Sequence, residues 1–260
     1  MKRVVVISDA QVPYQQERQV SALVRFIKET NPDDVYCVGD VADLPMVSRW
    51  ERGRKGEYSG LLDHHREEVK KFLRRVMPNG GHLKEGNHDR RLEMYLHSYA
   101  PAAAELPEMK MERFFGLSDM GIELHRDLWE YSPGYILAHG DEGTLSRVGG
   151  MTAFNLAKEL NKSVTCSHTH RQGIIHQGSS LLGVAKDGIW GQEVGHTMAM
   201  DAATYLRSGK SNWTAGFGIL DILGNGRVVP TNVQMSPTGS FVFEGRSYED
   251  GIIRVKVSTK

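Results

Sequence analysis

The chain has 260 residues, with 32 Lys plus Arg balancing 32 Asp plus Glu and eleven histidines outside that sum. Zero net charge argues against a non-specific nucleic-acid coat, which needs a large cationic excess. Two cysteines, Cys37 and Cys166, exclude a disulfide scaffold, and no apolar run approaches the roughly 20 residues of a membrane span. Each cysteine sits in an apolar run and reads as a buried free thiol. The apolar run Val4–Ile7 is too short for a secretory leader. A cytoplasmic protein with no membrane partner is expected.

The first half alternates strand and helix. Arg3–Ile7 is β-branched and reads as a buried strand. Residues 15–29 place Val20, Leu23, Val24 and Ile27 at helical spacing, and Asn31-Pro32-Asp33 stops the helix. Asp34–Val38 is the second predicted strand, and Leu61–Met77 a charged amphipathic helix ended by Pro78-Asn79-Gly80-Gly81. His82–Glu85 is the third strand, and Arg90–Tyr99 a short helix. This β-α-β-α-β order predicts parallel strands with right-handed crossovers.

The second half changes character. Tyr135–Ala138 and Ser163–Cys166 read as strands around a helix at Val148–Leu160. From Gly173 onward come short strands: 174–177, 180–184, 217–222, 228–234, 240–243 and 252–257. Asp187-Gly188 and Asn225-Gly226 are predicted hairpin turns. No linker rich in Pro or Ser divides the chain, so one layered domain over residues 1–260 is expected.

Metal-ligand side chains follow the predicted strands: Asp9 and Gln11 after the first, Asp40 and Asp43 after the second, Asn87, His88 and Asp89 after the third. His139 follows the strand at Tyr135–Ala138, and His168 and His170 follow the strand at Ser163–Cys166. Carboxyl ends of parallel strands lie along one edge, where α/β proteins place ligands. Five segments therefore deliver Asp, Asn and His to one rim. A lone instance carries little weight, since Asp and Asn are common in turns; the ordered set of five is specific. Gly39, Gly86 and Gly140 are read as sharp turns beside it.

With these motifs in order, the segment from Val4 to His170 resembles the calcineurin-like metallophosphoesterase superfamily. Gly86-Asn87-His88-Asp89-Arg90-Arg91-Leu92-Glu93 is similar to a phage and bacterial branch of it. The resemblance implies a four-layer α/β/β/α sandwich of two mixed β-sheets, with residues 171–260 supplying mainly second-sheet strands. It also implies a dinuclear site. Asp9, Gln11, Asp40 and His170 would hold the first ion, and Asp40, Asn87, His139 and His168 the second. An Asp/Asn/His set suits two divalent ions, Mn foremost, with Fe, Zn, Ni or Co as alternatives. The implied reaction is attack of metal-bound hydroxide on phosphorus, with His88 protonating the leaving group. Asp89 reads either as orienting His88 or as capping the helix that follows.

Departures from the family pattern shape the expected substrate. Gln11 stands where His is usual and predicts a looser first ion, and Ser167 stands where Gly is usual. Leu44 stands where protein phosphatases carry an Arg that grips a dianionic monoester, so a phosphodiester of nucleotide type, cyclic or linear, is favoured. Arg90, Arg91 and Arg171 are candidate substrate-binding replacements. The run Arg49–Lys55 reads either as a solvated loop or as a cover stacking a nucleobase. A nuclease on DNA or RNA, a phosphomonoesterase and a non-catalytic scaffold are the alternative functions.

Overall fold

The apolar run at the N-terminus becomes β1 (Lys2–Ile7), and both of its faces are covered. Val5 and Ile7 face the helices α1 (Glu17–Thr30) and α2 (Leu62–Val76), while Val4 and Val6 face a second sheet. This double burial is why the strand reads Val-Val-Val-Ile rather than alternating. The computed structural model describes residues 1–182, 184–202, 211–249 and 252–255.

Beside β1 lie β2 (Asp34–Cys37), β3 (Gly81–Lys84) and β4 (Ile122–His125), each parallel to its neighbour. Between β3 and β4 run α3 (Arg91–Tyr99) and two single turns, α4 (Pro101–Ala104) and α5 (Met111–Phe114). The second sheet has the order β5-β6-β7-β9-β8. Its strands are β5 (Trp129–Ser132), β6 (Tyr135–Leu137), β7 (Ser163–Cys166), β8 (Gln172–Leu181) and β9 (Val184–Val194). Helix α6 (Met151–Leu160) covers its outer face through Ala153, Leu156 and Ala157. Helices, sheet, sheet and helix make the expected four layers. Val38, Leu137, Trp190 and Leu220 are among the residues packed between the sheets.

The late strands depart from expectation. β10 (Gly216–Ile222) and β11 (Val228–Gln234) extend the first sheet, with β10 antiparallel to β1. β12 (Phe241–Phe243), β13 (Arg246–Glu249) and β14 (Ile252–Val255) form a separate meander. Only β8 and β9 join the second sheet, so residues 171–260 are not mainly second-sheet strands. Period-two patterning marks a strand but carries no information about which sheet receives it. Phe241, Phe243 and Tyr248 close around Phe26 of α1, with ring centroids 5.2–5.6 Å away. Residues 256 and 257 of the last predicted strand lie outside the described residues.

Asp187-Gly188 is not a hairpin turn. It lies inside β9, where Gln177 pairs with Ile189 and Ser179 with Lys186. Two steps along β8 therefore oppose three along β9, which is a β-bulge. β4 and β5 are not among the strands expected from the sequence.

Candidate metal centre

Asp9, Asp40, Asn87, His139, His168 and His170 follow the carboxyl ends of β1, β2, β3, β6 and β7, as does Gln11. Five of these seven have positive φ: Asp9 at 46°, Gln11 at 47°, Asp40 at 51°, His168 at 64° and His170 at 58°. L-residues visit this region at a cost on the order of 1 kcal/mol each, and such outliers gather at functional sites. The loops are also pressed together. A Cβ on Gly86 would lie 2.3 Å from both the backbone nitrogen and Oδ1 of Asp40. Gly86 is thus required by close approach, not by a turn.

The side chains form two groups. In one, His139 Nε2 lies 3.1 Å from Asn87 Oδ1, 3.2 Å from His168 Nδ1 and 3.4 Å from Asp40 Oδ1. The other nitrogen of His139, Nδ1, donates to the Val38 carbonyl at 2.7 Å. That bond leaves the Nε2 lone pair facing the cluster, as a metal-ligating histidine requires. In the second group, His170 Nε2 is 3.1 Å from Asp9 Oδ1 and 3.3 Å from the Gln11 amide nitrogen. Gln11 Oε1 is buried and has no hydrogen-bond partner. Ser8 Oγ donates to Asp9 Oδ2, which also accepts from His168 N at 3.2 Å.

The electrostatics are strongly negative. Burial opposes the imidazolium of His139, yet Asp40 and Asp9 raise its pKa to about 10. Burial works the other way on Asp9, and His170 still holds its carboxyl down at about 2. Asp40 lies well below the usual carboxylate range despite burial, held there by His88 and His139. A buried field of this sign suits cations. The donors fit the implied divalent ions: one ligand atom each from Asp40, His139 and His168 lies within 4.8 Å of the others, and the second group holds the orphaned amide oxygen of Gln11.

His88 stands at the edge of the cluster. Its Nδ1 donates to Asp43 Oδ1 at 2.7 Å, so Nε2 is the nitrogen left for proton exchange; it lies 3.8 Å from Asp40 Oδ2 and accepts from Arg91 at 3.0 Å. Burial lowers the His88 pKa, but Asp40 and the Asp43 bond outweigh it and the net shift is upward. The expectation that Asp89 orients His88 needs correction. The Asp89 carboxylate accepts from the backbone nitrogens of Asp40, Ala42 and Gly86 at 2.8–3.0 Å, and pins two loops together. It does not cap α3, whose N-cap is Arg90 without a side-chain bond. Asp43 is the residue that orients His88; its position three residues after Asp40 was visible, but its partner was not.

The three candidate arginines are engaged within the chain. Arg91 bonds the Asp43 carbonyl, Asp43 Oδ1 at 2.8 Å and His88 Nε2 at 3.0 Å. Arg90 pairs with Asp141. Arg171 bonds Asn212 Oδ1 at 2.8 Å and the carbonyls of Ser146 and Thr169 at 3.2 Å. Leu44 is fully buried and presents no polar group.

Two neighbours of the site carry no motif: His196, a ligand-type side chain in the late strands that reads more simply as structural, and Trp213. His196 stacks on His170, with centroids 5.2 Å apart; its Nδ1 accepts from Met198 N and its Nε2 is buried without a partner. Trp213 packs 4.2 Å from His170. His196 comes just after β9 and Trp213 just before β10, each more than 20 residues from any motif, so no local spacing points to them.

The calcineurin-like phosphoesterase family model matches residues 2–196, which include every residue of the two groups. The chain belongs to this family. Two phage proteins are similar to this member over nearly their whole length. The Gene 54 protein of Mycobacterium phage D29 is 37% identical over 255 residues, 95% of this chain and 99% of that protein. The Gene 54 protein of Mycobacterium phage L5 is 34% identical over the same shares. Among solved structures, Vacuolar Protein Sorting 29 from Cryptosporidium parvum is 14% identical, with a TM-score of 0.48 and coverage of 95% of this chain and 94% of that one. Among the described residues, no helix of this phosphoesterase-family chain is long and apolar enough to cross a membrane.

Proposed function

We propose that this protein is a divalent-metal-dependent phosphodiesterase acting on nucleotide-type diesters. The convergence of Asp9, Gln11, Asp40, Asn87, His139, His168 and His170 on one buried, negative rim carries the reading. Asp9, Gln11, Asp40 and His170 would hold one ion, and Asp40, Asn87, His139 and His168 the other, with Mn the favoured metal. Bound ions supply Lewis acidity toward the phosphoryl oxygens and lower the pKa of water. The chain's own contribution is His88, held by Asp43 through Nδ1, with Nε2, which here accepts from Arg91, as the nitrogen that would carry the proton to the leaving oxygen.

The preference for a diester rests on the arginines. A dianionic monoester is best gripped by a bidentate guanidinium, and a monoanionic diester needs that grip less. Arg90, Arg91 and Arg171 already hold Asp141, Asp43 and Asn212, and Leu44 supplies no charge. The test is hydrolysis of an aryl phosphodiester against the aryl phosphomonoester with Mn²⁺. Faster diester cleavage is expected; faster monoester cleavage overturns the diester assignment.

A nuclease on longer chains is the second reading. Arg49 lies 4.7 Å over the exposed Trp50 ring and Arg52 4.6 Å over Tyr99, pairing cations with aromatic faces as single-strand binders do. Trp50→Ala would then weaken oligonucleotide cleavage and leave the aryl diester untouched.

A further inference from the structure

Away from the rim, three ligand-type side chains meet where the edges of the two sheets come together. β3 and β4 pair in parallel, with His82 opposite Glu123 and Lys84 opposite His125. His82, Glu123 and His125 therefore fall on one face. His82 Nδ1 and His125 Nε2 are 3.0 Å apart. Glu123 Oε2 is 3.5 Å from His82 Nδ1, and Glu123 Oε1 is 4.0 Å from His125 Nε2. Both imidazoles lie on the Trp129 ring, at centroid distances of 4.2 and 4.1 Å. The indole fixes their planes before any ligand arrives.

We propose that His82, Glu123 and His125 form a separate mononuclear site for a late first-row divalent ion, with water completing its shell. Two nitrogens 3.0 Å apart with bonds of about 2.0–2.1 Å meet at a metal at about 90°, an octahedral or tetragonal edge that suits Cu²⁺ or Ni²⁺. A tetrahedral Zn²⁺ edge needs about 3.4 Å, a small opening. Glu123 is largely exposed and free to swing onto the ion, and exposure also gives water and metal a path in. On the other side of His82, Nε2 lies 3.6 Å from Asp34 Oδ2. A carboxylate behind a ligating imidazole is the usual supporting arrangement for a metal-bound histidine. Both imidazoles are shifted by burial toward the neutral form that binds metal. The site does not depend on the phosphodiesterase reading.

The test is metal titration of chelator-stripped protein. Trp129 is the reporter, since paramagnetic Cu²⁺ bound beside it quenches its fluorescence. In Asp40→Asn, where the rim and the Trp213 beside its His170 no longer report, a quench that saturates at one equivalent is expected, and wild-type protein should bind one Zn²⁺ more per chain than His125→Ala. Glu123→Ala, a change at an exposed side chain that leaves the fold in place, should weaken the Cu²⁺ quench at least tenfold. Asp40→Asn, which disables the rim, should leave the Trp129 part of the quench in place. Equal stoichiometry and an unchanged quench in Glu123→Ala and His125→Ala would overturn the proposal, as would loss of the quench in Asp40→Asn.

Discussion

The two histidine clusters are built by opposite means. At the rim, each donor comes from a loop after a strand, and five of seven sit at positive φ. At the sheet edge, His82, Glu123 and His125 inherit their places from ordinary parallel register and rest on Trp129. The rim buys convergence of five chain segments with backbone strain and buried polar groups, and surrounding packing must offset both. The edge cluster needs no such strain, and its carboxylate stays exposed. The rim should therefore be sensitive to small changes in both chemistry and shape, and the edge should not.

The largest effect is expected at Asp40, whose carboxylate faces both His139 and His88. Asp40→Asn should lower diesterase kcat/KM by on the order of 10³-fold or more and reduce bound metal, read by steady-state kinetics with elemental analysis. Next is His88→Ala, with metal retained and kcat down about 10²–10⁴-fold. Metal loss on that change would show that His88 is a ligand instead. Gly86→Ala tests shape alone. With Asp40 atoms at 2.3 Å it should cost about 1–3 kcal/mol in urea unfolding. Gly178→Ala, with open space around it, should stay within about 0.5 kcal/mol.

Another prediction concerns pH. Burial first, and His170 second, push the His196 pKa down to about 3. An unfolded histidine takes up a proton near 6.5, so the native state binds fewer protons between these values. The stability contributed by neutral His196 is present above about pH 6.5 and lost as pH falls toward about 3. Comparing metal-free wild type with His196→Gln should show a difference in slope on the order of 1 kcal/mol per pH unit between pH 6 and 4. Parallel profiles would mean that His196 takes up its proton without opposition from its surroundings.

The rim was largely legible because its signals are local. Asp9, Asp40, Asn87-His88, His139 and His168-Thr169-His170 each follow a short apolar strand, and parallel order alone sends strand ends to one edge. The edge cluster was not legible. The meeting of His82 with Glu123 and His125 depends on which strand lies beside β3. Trp213 was hidden for the same reason, since β10, which follows it, reaches the rim by pairing with β1 some 200 residues earlier, and His196 was visible only as a ligand-type side chain without partner spacing.

The amino-acid sequence determined the alternation of strands and helices, the double burial of β1, the donor types of the rim and their order. These follow from residue spacing over a few positions. Tertiary structure decided the rest: Asp43 rather than Asp89 against His88, the arginines occupied by Asp43, Asp141 and Asn212, the bulge at Asp187-Gly188, and β10 and β11 on the first sheet. Each depends on a partner far away in the chain, and spacing along a sequence carries no record of what register and packing bring beside it.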